Sequence, residues 1–184
     1  MDTARFVRST AHASLVAPAT TLTLAENAPA LSLMTDFAVS PPATVSANRH
    51  IDAALNDMIV AGVRALIVTT LDEVTGLITA ADILGEKPIK FLQSPLCAGN
   101  PCKRVEIAVG DIMTCLGLLE TLEFDWMMRA TAGDVASAFA SKPYTHMLVM
   151  EPGSPDGVRL IRGLLSKTRL ERQLGKPIRS LVSW

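Results

Sequence analysis

The residues of this chain with the most evident chemistry lie in Gly76-Leu77-Ile78-Thr79-Ala80-Ala81-Asp82, where an apolar run turns into a helix. Thr79 stands where an N-cap hydroxyl would stand. Asp82, three residues on, is an acceptor in the positive first turn. The pair can serve the helix alone. It also gathers a hydroxyl, a carboxylate and unbonded backbone N–H groups at one helix N-terminus, a place suited to a ribose and a phosphate. His12, His50 and His146 are far apart in sequence, and no nucleophile or carboxylate pair stands out beside them. Neither a phosphate-cradling P-loop nor a Gly-x-Gly-x-x-Gly turn occurs. A binding protein is expected, not an enzyme.

A chain of 184 residues that is 49% hydrophobic can bury a good core, as one domain or two small ones. Its net charge is −1 and its Lys and Arg are spread, so no footprint for nucleic acid is visible. Aromatic residues make up 4%, which argues against base-stacking platforms. No run approaches the roughly 18 apolar residues of a membrane span, and no solid apolar leader follows Arg5 and Arg8. A cytoplasmic location is the expectation. Cys97, Cys102 and Cys115 match no metal spacing and read as incidental thiols.

Stepping along the chain, residues 1–30 form an Ala/Thr/Pro-rich arm, a mobile segment or a strap, with one alternating run at Thr20 to Leu24. Phe37 to Val45, broken by Pro41-Pro42, is an edge strand or an extended loop. After capping residues Ser46-Ala47-Asn48, the positions Ile51, Ala54, Leu55, Met58 and Ile59 trace one apolar helix face, stopped at Gly62. Ala65 to Thr69 reads as a buried strand, Leu71 to Thr75 as a charged turn, and Gly76 to Thr79 as the next strand. A helix starts at Ala80 and halts at Gly85-Glu86-Lys87-Pro88. Pro88 to Gln93 is a connecting segment and Ser94 to Lys103 a linker.

The pattern then repeats. Met34-Thr35 is echoed by Met113-Thr114, the helix Ile51 to Met58 by Val135 to Ala140, and the strand Ala65 to Val68 by Met147 to Met150. Gly76-Leu77-Ile78-Thr79 is echoed by Gly163-Leu164-Leu165-Ser166, again leading into a helix, Lys167 to Leu174, stopped at Gly175. The second copy carries an insertion, Cys115 to Arg129, whose Trp126, Met127 and Met128 read as packing residues. Two similar modules, neither able to bury its sheet alone, would pack against each other.

Two copies of Gly-apolar-apolar-Thr/Ser, in register within one β-α-β-β-α order, resemble a tandem pair of CBS domains, a Bateman module. Detail from Leu77 to Pro88 and from Arg169 to Gly175 is similar to small stand-alone CBS-pair proteins of proteobacteria. The resemblance implies an α/β (α+β) fold of two β-α-β-β-α modules packed through their sheets in pseudo-two-fold symmetry. The modules would span residues 31–93 and 105–175, with a linker at 94–104 and a tail at 176–184.

It further implies a regulatory sensor that needs no cofactor. Such a sensor binds an adenosine-type ligand (AMP, ADP, ATP or S-adenosylmethionine) in a cleft between the modules and signals to a separate target protein. A homodimer is implied as well. The alternative is a structural homodimerisation module with a vestigial cleft. By that resemblance Asp82 accepts from the ribose hydroxyls and Thr79 contacts the ribose-phosphate, with the adenine against Phe37 to Val45 and Ile78, and Arg64 near a phosphate. In the second copy Ser166 keeps the hydroxyl, but Arg169 stands in the Asp position, so that site is expected to be weak, altered or empty. Arg169 could instead reach a phosphate at the first site. His146 is placed as the counterpart of Arg64.

Overall fold

The computed structural model describes residues 23–98, 102–141, 144–153 and 159–179; most of the alternating run at residues 20–24 lies outside them. The first half runs β1 (Thr35–Asp36), β2 (Thr44–Ser46), α1 (Ile51–Ala61), β3 (Ala65–Thr70), β4 (Glu73–Thr79), α2 (Ala80–Leu84) and α3 (Lys87–Leu92). A short α4 (Pro95–Ala98) leads on to α5 (Val109–Ile112), β5 (Thr114–Cys115), β6 (Thr121–Glu123) and α6 (Phe124–Met127). Then come α7 (Ala132–Ala140), β7 (His146–Pro152), β8 (Arg159–Ser166) and α8 (Lys167–Leu174).

Helix α1 forms on the expected apolar stripe, with Ile51, Ala54 and Met58 buried, and ends where Gly62 takes a left-handed φ of 66°. Ile59 does not join that face. Eight residues beyond Ile51 it is rotated by about 80° on the helix, and it is 71% exposed. The cap differs too. Ser46-Ala47-Asn48 makes a turn in which Ser46 Oγ accepts from the Asn48 N–H, and the N-cap is His50, without a side-chain cap bond. The Ile51 N–H instead donates to the Ile107 carbonyl, so the second half caps this helix.

Other boundaries shift for local reasons. Leu71 and Asp72, with φ of 49° and 66°, suffice for the turn, so β4 begins at Glu73. Residues 87–92 form a helix rather than a connecting segment, because Pro88 falls in its first turn, where a missing N–H removes no bond. Within residues 115–129, β6 pairs in parallel with β7 as β2 pairs with β3, so this stretch supplies the second copy's edge strand. Met127 is fully buried and Trp126 half-buried, but Met128 is 54% exposed and is not a packing residue.

The two sheets, ordered β2-β3-β4-β5 and β1-β8-β7-β6, each have a strand from the other half at one edge. They face one another through Ala65, Ile67, Leu77, Leu148 and Met150. On the outer face of the first sheet α1, α2 and α5 bury Ile51, Met58, Ile83 and Val109 against Leu66, Val68 and Ile78. On the second, α7 and α8 bury Val135, Phe139 and Leu170 against Met147, Val149 and Leu165. The chain just before β1 is a strap over this second core. The Leu24 and Ala30 N–H groups donate to the Gln173 and Ala130 carbonyls, and the Gly133 N–H donates to that of Glu26.

The repeated Met-Thr pair explains the exchange of edges. Thr35 and Asp36 pair with Leu164 and Gly163, and Thr114 and Cys115 pair with Leu77 and Gly76. A Cβ on Gly163 would come within 2.6 Å of the Thr35 carbonyl oxygen and of the Met34 side chain. One on Gly76 would run into the Thr114 carbonyl in the same way. Only glycine lets the exchanged strand this close. Arg162 then fastens β1 from the side. Its guanidinium donates to both Asp36 oxygens at 2.7 and 3.0 Å and to Glu151 at 3.0 Å, and lies 4.6 Å from the Phe124 ring centre. Hydrogen bonding from Arg162 holds the Asp36 carboxyl below its ordinary 3.8.

The thiols do not all stay free: Cys97, in α4, forms a disulfide with Cys102, and Cys115 is free and exposed. Five residues apart in sequence, they escape metal-spacing rules, while their Cα atoms lie 5.3 Å apart, within disulfide range.

Two expectations follow. Gly163→Ala should lower stability by roughly 1–3 kcal/mol, seen as a fall of several degrees in melting temperature, because backbone as well as side chain must move. Gly117→Ala, where nothing lies within 4 Å of an added Cβ, should melt like the parent. Thiol alkylation of the unreduced protein should label Cys115 alone, and all three cysteines after reduction. Closing so short a loop stabilises by about 2 kcal/mol, so reduction should also lower the melting temperature.

Candidate functional site

Strand order decides what meets what between the sheets. The β2–β3 side of the first sheet faces the β1–β8 side of the second, and the β4–β5 side faces β7–β6. One cleft opens over each junction. The larger, 650 Å³, is lined from the first half by Thr35, by Phe37 and Ser40 to Ala43, and by Ala61 to Ala65 with Ile67. From the second half come His146, Leu164, Ser166, Thr168, Arg169 and Arg172. The smaller, 270 Å³, holds Leu77, Thr79, Ala81, Asp82, Lys87 and Thr114 opposite Leu119 and Tyr144 to His146.

This separates residues expected together. Thr79 and Asp82 line the smaller cleft, whereas Arg64 and the Phe37 to Ala43 segment line the larger one with Ser166 and Arg169. Ile78 lines neither cleft. Strand alternation turns Leu77 and Thr79 toward the space between sheets and Ile78, 0% exposed, into the outer core beneath the helices.

His146 is not the counterpart of Arg64. In the paired strands Ala65 faces Thr79 and His146 faces Ser166. The Ala80 and Lys167 N–H groups donate to the Arg64 and Thr145 carbonyls, each at 2.9 Å. Arg64 therefore corresponds to Thr145, and His146 to Ala65, one residue from the sequence alignment. In that position His146 forms part of the wall of both clefts.

The signature pair is a closed capping box. The Asp82 carboxylate accepts from the Thr79 N–H and hydroxyl at 2.8 Å each, and Thr79 Oγ1 accepts from the Asp82 N–H at 3.1 Å. Thr131 and Asp134 close the same box at α7, and neither lines a cleft. The box alone therefore does not mark a site. What sets Asp82 apart is its second oxygen, 2.9 Å from Lys87 Nζ, while Lys87 also donates to Thr114 Oγ1 at 3.0 Å. The smaller cleft thus holds an internally neutralised carboxylate.

The larger cleft is electrostatically open. Arg64, Arg169 and Arg172 line it, no carboxylate does, and none of the three is ion-paired among the described residues. Arg169 donates Nη1 to Thr35 Oγ1 at 2.9 Å. Ser166 makes no side-chain cap bond to α8. Phe37, Pro41, Pro42, Val63 and Ile67 supply an apolar portion. The arrangement suits a flat apolar ring carrying an anionic group. Sequence reading missed Arg172, Thr35 and Lys87; the three-residue spacing of Arg169 and Arg172 on one helix was the available signal.

His146 is the titrating group of this region. Burial pushes its imidazole below the ordinary 6.5; nearby Asp82 opposes that shift and Arg64 adds to it. Its Nδ1 lies 3.1 Å from Thr145 Oγ1. A depressed folded value means that the unfolded chain takes the proton more readily. The contribution is present above about pH 6.5 and is lost as pH falls toward the folded value. His146→Gln should therefore flatten the fall in melting temperature on acidification from pH 7 to pH 5.

Among known proteins, residues 32–88 match the CBS domain family. No curated protein matches the chain. A CBS-domain protein of Burkholderia ambifaria MC40-6 is similar in structure at a TM-score of 0.52 and 19% identity, over 72% of this chain and 82% of that one. CBSX2 of Arabidopsis thaliana, solved in complex with AMP, gives 0.52 and 20% over 79% and 94%. An uncharacterised conserved protein of Pyrococcus horikoshii gives 0.52 and 23% over 80% and 92%.

Proposed function

Because this chain carries a CBS domain at residues 32–88 and folds as a CBS pair, we propose that it is a regulatory sensor. It binds an adenosine-type nucleotide between its two halves, and a separate partner protein reads the occupied state. The observation that carries this reading is the larger cleft, where residues of both halves surround an apolar slot and three arginines that are unpaired among the described residues. A ligand there touches both halves, so it can favour one arrangement of them over another through differential affinity. AMP bound to CBSX2, a protein of similar fold, supports the ligand class.

The smaller cleft is a second, latent place. Its Thr79 hydroxyl and Asp82 carboxylate suit a ribose diol, but a ligand there must first draw Asp82 away from Lys87. The protein acts without a cofactor and without catalysis. Among the described residues no helix is long and apolar enough to cross a membrane.

A homodimerisation module with unused clefts is the second reading. Exposed Ile59, Val60, Leu84 and Ile89 on the outer helices of the first half favour it.

Calorimetric titration with AMP, ATP and S-adenosylmethionine tests the two. The sensor reading expects one AMP per chain. Arg64→Ala should weaken it about tenfold, the loss of one charge-assisted hydrogen bond, and Asp82→Ala should leave it within twofold. S-adenosylmethionine, with its cationic sulfur, should bind more weakly. No heat with any ligand, together with one unchanged dimer mass in sedimentation, decides for the scaffold. Binding lost in Asp82→Ala and kept in Arg64→Ala moves the site to the smaller cleft.

A further inference from the structure

The fold makes one position of the two clefts equivalent and fills it with opposite charges. Thr79 and Ser166 end β4 and β8, and the N–H after each donates across to the neighbouring strand's entry carbonyl. Three residues on stand Asp82 in the smaller cleft and Arg169 in the larger. The surroundings follow suit. Thr114 anchors a cation, Lys87, that Asp82 neutralises; its equivalent Thr35 anchors Arg169, which no carboxylate among the described residues neutralises. Arg169 offers five N–H donors, and its hydrogen bond to Thr35 engages one nitrogen. Arg172 lies one turn further along the same helix, and Arg64 comes from the other half.

We propose that the larger cleft selects a nucleotide with a phosphate ester on its ribose, at the 2′ or 3′ oxygen, in addition to the phosphate at the 5′ position. The inference rests on the reading that this cleft holds an adenosine-type ligand. A carboxylate at this position suits two ribose hydroxyls, because it accepts from both. A guanidinium accepts nothing, and a neutral diol returns little for desolvating it. A phosphate ester there meets the planar fork with two parallel charge-assisted bonds. Arg64, on the first half's wall, is then available for the 5′-phosphate, so the two anionic groups are held from different halves. At 650 Å³ the cleft has room for such a molecule.

The test compares adenosine 3′,5′-bisphosphate, AMP and ATP by calorimetry on the full chain at one ionic strength. The bisphosphate should bind at least tenfold more tightly than AMP and more tightly than ATP. In Arg169→Gln the bisphosphate should bind no more tightly than AMP binds to the same variant. Arg169→Lys, which keeps the charge without the fork, should lose most of the preference. Equal affinity of bisphosphate and AMP overturns the proposal and leaves nucleotide binding standing. So does ATP binding as tightly as the bisphosphate, which would mean that the arginines count charge rather than locate it. A preference that survives in Arg169→Gln also overturns it. Absence of binding by all three removes the underlying reading as well. Should Arg169→Gln fail to fold, the ranking of the three nucleotides on the parent protein still decides.

Discussion

The exchange of edge strands is the constraint on which the rest of this molecule depends. A two-residue strand has no stability of its own, and β1 and β5 exist because each lies against a glycine of the opposite half. Met34-Thr35 crosses Gly163 and Met113-Thr114 crosses Gly76, with the backbones too close to admit a Cβ. The ion pairs of Arg162 with Asp36 and Glu151 then hold β1 to the two strands beyond it. Neither sheet is complete without the other half. The halves are therefore one folding unit, although the sequence presents them as two.

From this constraint come the clefts and their asymmetry. Two similar sheets packed about a pseudo-two-fold axis must leave two similar gaps, one at each junction. Their geometry is related by the repeat, but their electrostatics are not. On one side Asp82 and Lys87 satisfy each other, and the gap is small and internally neutral. On the other, arginine replaces the carboxylate, and a larger gap keeps three cations without a counter-charge among the described residues. Such charges are tolerable while water reaches them and become strongly attractive to an anion that displaces it. His146 contributes to the wall of both gaps.

Much of the fold was legible in sequence because its signals are local. The stripe of Ile51, Ala54 and Met58, the left-handed stop at Gly62, and the β-branched run from Ala65 depend on neighbours within a turn or a strand. The repeat was legible for the same reason, since each copy rewrites the same local pattern. Local alternation also placed Ile78 on the face opposite Thr79, a consequence available from the sequence that the expected adenine contact overlooked. The capping of α1 by the Ile107 carbonyl was not legible, because the acceptor lies in the other half.

What the sequence determined by itself is the strand-helix-strand-strand-helix order shared by the two copies, the two-fold repeat and the reversal from Asp82 to Arg169. Each is a property of residue type and spacing along one chain. Only the tertiary structure decided which residues share a cleft. That depends on which edges of the two sheets face each other, and it sent Arg64 to Arg169 rather than to Asp82. It also decided the one-residue offset that gives His146 the place of Ala65 and not of Arg64. A slip of one residue along a strand exchanges its faces, and only the hydrogen-bonded register fixes it.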